Sequence, residues 1–596
     1  MNASPPVPLP DNPLIVQSDR SLLLHTVRAL VDDQGRPMKD ADGRPLTEEH
    51  PRFAEARDAL AMFAELEKSP DYLHSYRLTP VAAWNAAALG WTAEEVIQKI
   101  HELACVPVPE SVTQELFDWF ERYGLLRIEP LGDRFELCSK DQEALARVLG
   151  HASVADLVEI DPDGRATLDD LSRGLLKQAL IKVGFPVEDR GGYIEGDPYP
   201  IALDEGDGPQ DFRLRKYQRD AAEAFYAKGS VAGGSGVVVL PCGAGKTVVA
   251  LAAMNLVGTK TLILTTNTVA VRQWATEVLS KTRLGADEVA EYTSESKTVA
   301  PVTITTYQML TWRRSRTGEF EHFSVFREQN WGLVIYDEVH LLPAPIFRVT
   351  AELQARRRLG LTATLVREDG KEDEVFCLIG PKRFELPWKV LEGQGYIAAA
   401  TCIEVRVPLA EAERRSYEAA TPRAKFRIAS ENPAKLVVVQ QLIERHASGR
   451  ILVIGQYIDQ LRELRAALGA PLITGKTPNA ERHELYDAFR RGAERVLIVS
   501  KVGNFAIDLP DANVAIQVSG TFGSRQEEAQ RLGRILRPKS DGSSAAFYSV
   551  VSAGSRDQDF AQKRQLFLTE QGYSYEIVAS QSLGDSLEPR AARMQP

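Results

Sequence analysis

The stretch VVVLPCGAGKT, Val237 to Thr247, carries the clearest chemistry in the chain. Its β-branched run predicts a buried strand, its glycines a short turn, and Val248 to Leu256 a helix, which is the setting a phosphate-binding loop needs. Gly243 and Gly245 let the backbone curl its N–H groups around an anion, and the helix N-terminus adds partial positive charge. Pro241, Cys242 and Ala244 complete that cradle. Lys246 can reach the terminal phosphates, and the Thr247 hydroxyl can ligate Mg²⁺. Leu240 stands where the strict G-x-x-x-x-G-K-[ST] pattern has its first glycine. The bland alternative is a glycine-rich strand-to-helix turn with no ligand.

Further along, an apolar strand from Gly332 to Tyr336 runs into Asp337-Glu338-Val339-His340. Two carboxylates at the carboxyl end of a strand are placed where an α/β nucleotide enzyme uses them. Asp337 would hold Mg²⁺ through water, and Glu338 would orient and deprotonate an attacking water. N-capping of the next helix is the structural alternative. The strand Arg358 to Leu361 ends in Thr362-Ala363-Thr364, whose hydroxyls could sense a γ-phosphate. In Leu214-Arg215-Lys216-Tyr217-Gln218, the Gln218 amide could pair with an adenine edge and Arg215 could hold a phosphate or an acid. In Gln530-Arg531-Leu532-Gly533-Arg534-Ile535-Leu536-Arg537, Arg534 and Arg537 are three apart and share a helical face. Two guanidinium forks aimed at one place suit a triphosphate being cleaved.

The elements that must position these groups recur in a strand–helix rhythm. Thr261 to Thr265, the strand ending at Thr306-Tyr307, and Ile451 to Gly455 with Arg495 to Ser500 all read as buried parallel strands between helices. Gly475-Lys476-Thr477 is not a second phosphate loop, because Pro478 follows where a helix should begin. The expected fold class is α/β: two parallel α/β lobes preceded by small α+β N-terminal domains.

With 596 residues, 44% apolar and 26% charged, the chain is long enough for several globular domains. Its five cysteines (105, 138, 242, 377, 402) form no C-x-x-C pair, which argues against zinc and for a reducing compartment. No signal-like leader or membrane-length apolar run is present, so a cytoplasmic location and no membrane partner are expected. The net charge of −11 is uneven: residues 1–200 hold 20 basic against 35 acidic residues, residues 201–550 hold 46 against 41. The acidity sits at the N-terminus, and a mildly basic remainder fits tracking along a nucleic-acid backbone.

In the N-terminal third, Pro13 to Val27 predicts strand, turn and strand. Residues 32–52 nearly repeat themselves (DQGRPMK, DADGRPL) and predict a surface loop. Phe53 to Glu67 has helical spacing, Thr79 is an N-cap, and Thr92 with Glu95 makes a capping box. Ser111 to Tyr123 predicts a helix, followed by strands Leu125 to Glu129 and Arg134 to Ser139. Residues 190–209, rich in glycine and proline, read as a linker. His74, His101 and His151 are isolated and are expected to be structural or solvated.

GAGKT, DEVH and TAT in this order resemble superfamily 2 helicases. LPCGAGKT, YDEVHLLPAPIFR, LTATLVRED and IGPKRFELPW resemble more closely the XPB family, and PLIVQSD and HSYRLTPVAAWNAA do so near the N-terminus. The resemblance implies two RecA-like lobes with an ATP site in the cleft and Mg²⁺-dependent ATP hydrolysis coupled to movement on DNA. It also implies 3′-to-5′ unwinding or double-strand translocation in DNA repair. It assigns His340, Thr362, Thr364 and the Arg367-Glu368-Asp369 element to DNA coupling and unwinding. Gly503, Asp508 and Gln530 fall with the nucleotide contacts, although Asn504 stands where the family often has Asp. Arg414, Arg415, Arg423, Lys425 and Arg427 would suit a thumb-like insertion that grips DNA. The implied domains are 1–119, a damage-recognition-like 120–195, a linker 196–209, lobe one 210–392, lobe two 393–555 with the thumb at about 408–432, and a C-terminal helix with a disordered tail, 556–596. Partners would be single-stranded and forked duplex DNA, read with little sequence preference, and a nuclease or another repair protein; the chain would act as a monomer. An RNA helicase, a restriction-type translocase and an ATP-switched scaffold are the competing readings.

Overall fold

The computed structural model describes residues 11–32, 36–39, 45–68, 72–191, 195–206, 212–230, 233–315, 320–322, 326, 329–339, 357–363, 375, 378–500, 512–520, 531–533, 544–571, 573 and 575–583. They divide into two compact units, Met1–Leu240 with Gly245–Leu386, and Pro387–Pro596 with the short loop Pro241–Ala244.

The first unit opens with an antiparallel sheet ordered Leu14–Val16, Ser21–His25, Leu73–Arg77, Glu65–Lys68. Its inner face packs on helices Phe53–Phe63, Pro80–Ala88, Ala93–Leu103 and Glu110–Arg122, around Leu24, Leu60, Phe63, Tyr76, Ile100 and Leu116. The caps read from sequence are present. Thr79 Oγ1 accepts from Ala82 N at 3.1 Å ahead of Pro80, and Thr92 with Glu95 closes its box at 3.2 and 2.9 Å. The duplicated stretch is more ordered than a plain loop. Val27–Ala29 pairs antiparallel with Thr47–Glu49, and the bridges Val31–Pro37 and Lys39–Pro45 repeat at the period of the sequence.

A second sheet, ordered Val187–Asp189, Leu126–Leu131, Arg134–Ser139, Ala166–Leu168, Glu159–Ile160, is backed by helix Asp170–Lys182. Arg173 and Lys177 on that helix both hold Asp189, at 2.7 and 3.2 Å. Their charges keep its carboxyl well below the usual range despite burial.

The segment after it, expected as a linker, is fastened along the neighbouring α/β sheet. Asp197 accepts from Lys260 Nζ at 2.6 Å and Asn330 Nδ2 at 2.8 Å, Tyr199 N donates to Gly258 O at 2.8 Å, and Asp204 N donates to Lys281 O at 2.9 Å. Gly196, at φ +77°, lies so close to Gly332 that a side chain would collide. Its glycine and proline content therefore serves close approach as well as turning.

That sheet is wholly parallel: Val289–Tyr292, Val302–Thr306, Thr261–Thr265, Leu333–Asp337, Arg357–Thr362, Ser235–Val239, Lys382–Glu385. Its central strands are buried on both faces, as helices Lys216–Tyr226, Lys246–Val257 and Thr268–Lys281 require. All its strands point their carboxyl ends the same way, so the turns after Val239, Thr306, Asp337 and Thr362 share one edge.

The second unit holds another parallel seven-stranded sheet: Leu472–Ile473, Val496–Ser500, Ile451–Gly455, Val514–Gln517, Ala545–Ser552, Ala400–Val407, Tyr575–Ala579. Helices Glu411–Ala419 and Pro422–Ser430 fall within residues 408–432; the first buries no side chain, the second buries Phe426, Ala429 and Ser430. Arg427 is spent on Glu431 (2.7 Å) and Asp459 (3.2 Å), and Lys425 lies over Tyr417 at 5.4 Å. The expectation of a disordered tail after the last helix is corrected in part. Helix Arg556–Glu570 is followed by Tyr575–Ala579, which pairs in parallel with Ala400–Val407 and covers that sheet edge.

Candidate active site

Strand Ser235–Val239 is buried throughout and delivers the chain to the glycine-rich turn. Leu240 N donates to Thr362 O at 3.0 Å, so that residue extends the sheet ladder, and its φ is not positive. This is why leucine serves where the strict pattern has glycine. Ala244 N closes the turn on Pro241 O at 3.2 Å, and Gly243 and Gly245 take φ of +83° and +79°. Helix Lys246–Val257 starts directly on Gly245, so Lys246 and Thr247 are its first two residues.

Gln218 is buried against this loop: a side chain at Gly245 would stand 2.6 Å from Gln218 Nε2. Gln218 Oε1 accepts from Arg215 N at 3.0 Å, and Arg215 Nη1 donates to Tyr217 Oη at 3.3 Å. The glutamine thus joins its own helix start to the phosphate loop.

Strand Leu333–Asp337 brings the carboxylates to the same edge. Lys246 Nζ and Glu338 Oε1 are 3.3 Å apart, both side chains largely shielded from solvent. Glu338 has φ +50°, a left-handed conformation that costs a non-glycine residue on the order of 1–3 kcal/mol. Such strain in an acidic residue paired with the lysine of a glycine-rich turn singles Glu338 out as a candidate functional residue. Asp337 Oδ2 accepts from Trp274 Nε1 at 2.9 Å, and its backbone carbonyl accepts from Tyr307 Oη at 2.7 Å. Burial first, then the neighbouring Glu338 charge, pushes the Asp337 carboxyl up to about 6, against the Trp274 bond and Lys246.

The structure therefore brings Gly243, Gly245, Lys246, Thr247, Asp337, Glu338, Thr362 and Gln218 to one sheet edge. His340, Thr364, Arg367, Glu368, Asp369, Gly503, Asp508, Gln530, Arg534 and Arg537 lie outside the described residues. Trp274 and Tyr307 were not singled out from sequence. Their signal was available: a buried Trp or Tyr needs a partner for its polar tip, and both lie on helices that follow buried strands, Trp274 two turns into Thr268–Lys281 and Tyr307 at the start of Tyr307–Leu310.

These residues fit a nucleoside triphosphate with Mg²⁺. The turn glycines take left-handed φ, a lysine and a threonine start the helix that follows, and a shielded carboxylate ends the strand Leu333–Asp337 at the same sheet edge. Among the described residues no group of three or more His, Cys, Asp or Glu could hold a metal by itself. A cation here would lean on Thr247, Asp337 and the nucleotide's own oxygens.

Two wholly parallel α/β sheets in one chain, the first bearing a phosphate loop and paired acids at its carboxyl edge, define a two-lobed motor of the helicase class. Residues 211–367 match the family described as Type III restriction enzyme, res subunit, residues 391–594 the ERCC3/RAD25/XPB C-terminal helicase, and residues 38–160 a helicase conserved C-terminal domain. The chain is 51% identical over 532 residues to the DNA 3′-5′ helicase XPB of Mycobacterium tuberculosis, covering 89% of this chain and 95% of that one. It is 52% identical to the protein of the same name from Kineococcus radiotolerans, over 89% and 94% of the two chains. It is 34% identical to the general transcription and DNA repair factor IIH helicase/translocase subunit XPB of Antonospora locustae, over 88% and 79%. The chain belongs to the XPB family of DNA helicases.

Proposed function

We propose that this chain is an ATP-dependent 3′-to-5′ DNA helicase and translocase acting in DNA repair. The observation that carries this is the convergence of Lys246, Asp337 and the strained Glu338 on one sheet edge, in a chain matched almost end to end by proteins named DNA 3′-5′ helicase. The backbone amides of Cys242, Gly243 and Gly245, with Lys246, bind the phosphates, while Pro241 and Ala244 shape the turn that presents them. Mg²⁺ on Thr247 and Asp337 would offset charge on the phosphate oxygens. Glu338 is held by Lys246; when a γ-phosphate takes over the lysine, the carboxylate is released to orient water and accept its proton. Gln218 and Arg215 serve the base and its neighbouring phosphates. Arg534 and Arg537 meet the charge that develops on the transferred group, and Gly503, Asp508 and Gln530 support nucleotide contact. His340, Thr362, Thr364 and Arg367-Glu368-Asp369 couple hydrolysis to DNA.

In this reading residues 1–119 are an accessory module, 120–195 a damage-recognition-like domain, 196–209 its connection to the motor, 210–392 and 393–555 the two lobes with a thumb at about 408–432, and 556–596 a C-terminal extension. The protein works in the cytoplasm as a monomer on single-stranded and forked DNA, with a nuclease or another repair protein as partner. No described helix is long and apolar enough to cross a membrane. Strand displacement on duplexes with a 3′ or a 5′ tail tests the proposal. Unwinding with ATP only from the 3′ tail is expected. Equal ATPase stimulation by RNA and DNA, or unwinding from the 5′ tail, would overturn it.

A further inference from the structure

Of the seven tryptophans, Trp312 is the one that lies exposed, with 40% of its surface open to solvent. It is nonetheless held firmly. Its ring is tilted by 35° over His322 at 5.6 Å between centroids, and its carbonyl accepts from Glu321 N at 3.2 Å. His322 is fixed in turn by Tyr292, whose hydroxyl lies 3.2 Å from His322 Nδ1 and whose ring packs edge-on against the buried Phe326 at 4.9 Å. An aromatic plane presented to water but fixed from behind loses little entropy on stacking with a ligand.

The surroundings are cationic. Lys297 Nζ lies 4.8 Å over the Tyr292 ring, the Arg313 guanidinium lies 5.4 Å over Phe320, and Arg314 is 82% exposed. The acidic neighbours Glu321 and Glu295 are paired with Arg314 (2.7 Å) and Arg272 (2.8 Å). Flat π-face plus flanking cations is the recognition chemistry of single-stranded nucleic acid, where bases stack and phosphates find positive charge.

The position is also informative. Trp312 follows the short helix Tyr307–Leu310, which caps strand Val302–Thr306 at the same carboxyl edge as Asp337. Two strand spacings, roughly 10 Å, separate those strands, and Tyr307 spans the gap by its bond to the Asp337 carbonyl. We propose that Trp312, backed by His322, is the stacking site for an unpaired DNA base, with Lys297 and Arg313 beside it for the flanking phosphates. This rests on the DNA-helicase reading and adds to it a place where the unwound strand is gripped in the first unit.

The test compares binding of a labelled oligothymidylate and of a blunt duplex of equal length, at fixed salt, to the full chain and to Trp312→Ala, Trp312→Leu and Trp312→Phe. One base stacked on an aromatic ring corresponds to roughly a 5- to 150-fold difference in affinity. Loss of that size is expected for Ala and Leu on the oligothymidylate, with Phe retaining most of the affinity. On the duplex, whose bases are stacked and paired except at the two ends, all variants should stay within about twofold. Thermal unfolding and ATP affinity, measured alongside, should be unchanged. Oligothymidylate binding by Trp312→Ala equal to that of the parent would overturn the proposal. So would equal losses on both DNAs, or a Leu variant as good as Phe. If the parent chain binds neither DNA, the helicase reading fails and takes this site with it.

Discussion

Lys246 and Glu338 hold one another across 3.3 Å, yet their roles in turnover are separate. Lys246→Ala should abolish ATPase by weakening phosphate binding. Glu338→Gln keeps the shape and should retain ATP binding while turnover falls by roughly 10²- to 10⁴-fold, the contribution of a positioned base. Equal loss of nucleotide affinity in the two variants, read by equilibrium binding, would show that the roles are not divided. Trp274 acts one step back, through its 2.9 Å bond to Asp337. Trp274→Phe leaves the ring in its buried seat but removes the donor, so the carboxylate loses its orientation. The expected outcome is a several-fold higher Mg²⁺ requirement for ATPase, with ATP affinity in excess Mg²⁺ unchanged. An unaltered Mg²⁺ titration would count against the bond having any part in the site.

At the scale of elements, two buried polar groups report on how the modules hold together. His74 sits on strand Leu73–Arg77, edge-on to Phe53 at 5.2 Å, and burial lowers its imidazole to about 4. It is neutral in the fold, whereas the unfolded chain takes up a proton near 6.5. Stability from this group is therefore whole above pH 6.5 and is lost as pH falls towards 4, about 2 kcal/mol of it by pH 5. Hydrogen exchange of that strand at pH 7 and pH 5, corrected for intrinsic rates, should show the loss, and His74→Phe should flatten it; an equal slope in the variant would place the titration elsewhere. In the second unit Lys435 Nζ is buried between Asp557 (2.7 Å) and the Val518 carbonyl (2.8 Å). Lys435→Met removes the nearer of the two cations beside the buried Asp557, leaving Arg564 at 4.0 Å, and should cost about 3 kcal/mol by denaturant unfolding, whereas adding Asp557→Leu should recover part of it. A harmless single variant would mean that water replaces the ammonium.

For the molecule as a whole the division of charge matters more than its sum. The acidic excess lies in residues 1–200, and the remainder up to residue 550 is slightly basic. On helices Glu411–Ala419 and Pro422–Ser430, Arg415 and Arg423 are exposed, and long exposed cations suit phosphates rather than base edges. DNA affinity should fall steeply with salt, through counterion release, and vary little among unrelated duplexes. A strong preference between two such duplexes of equal length at one salt concentration would require a base-reading element that nothing here suggests.

What the sequence determined by itself is whatever depends on near neighbours. Buried strands ending in turn glycines, the Thr79 and Thr92 caps, and Asp337-Glu338 at a strand's end are local patterns, and each stands where its pattern put it. Tertiary structure decided what depends on residues far apart in the chain. Trp274 reaches Asp337 across 63 positions, and whether a buried indole finds a carboxylate or a carbonyl follows from packing alone. Tyr575–Ala579 looked like the start of a free tail because its short strand cannot be told from coil until Ala400–Val407 offers an unpaired edge. Residues 195–206 read as a tether because glycine and proline break local periodicity, yet hydrogen bonds fasten them to residues between 255 and 288 and to Asn330. The strain at Glu338 has the same origin: nothing in its side chain favours φ +50°, and it is sustained by tertiary surroundings that include the buried strand before it and Lys246 beside it.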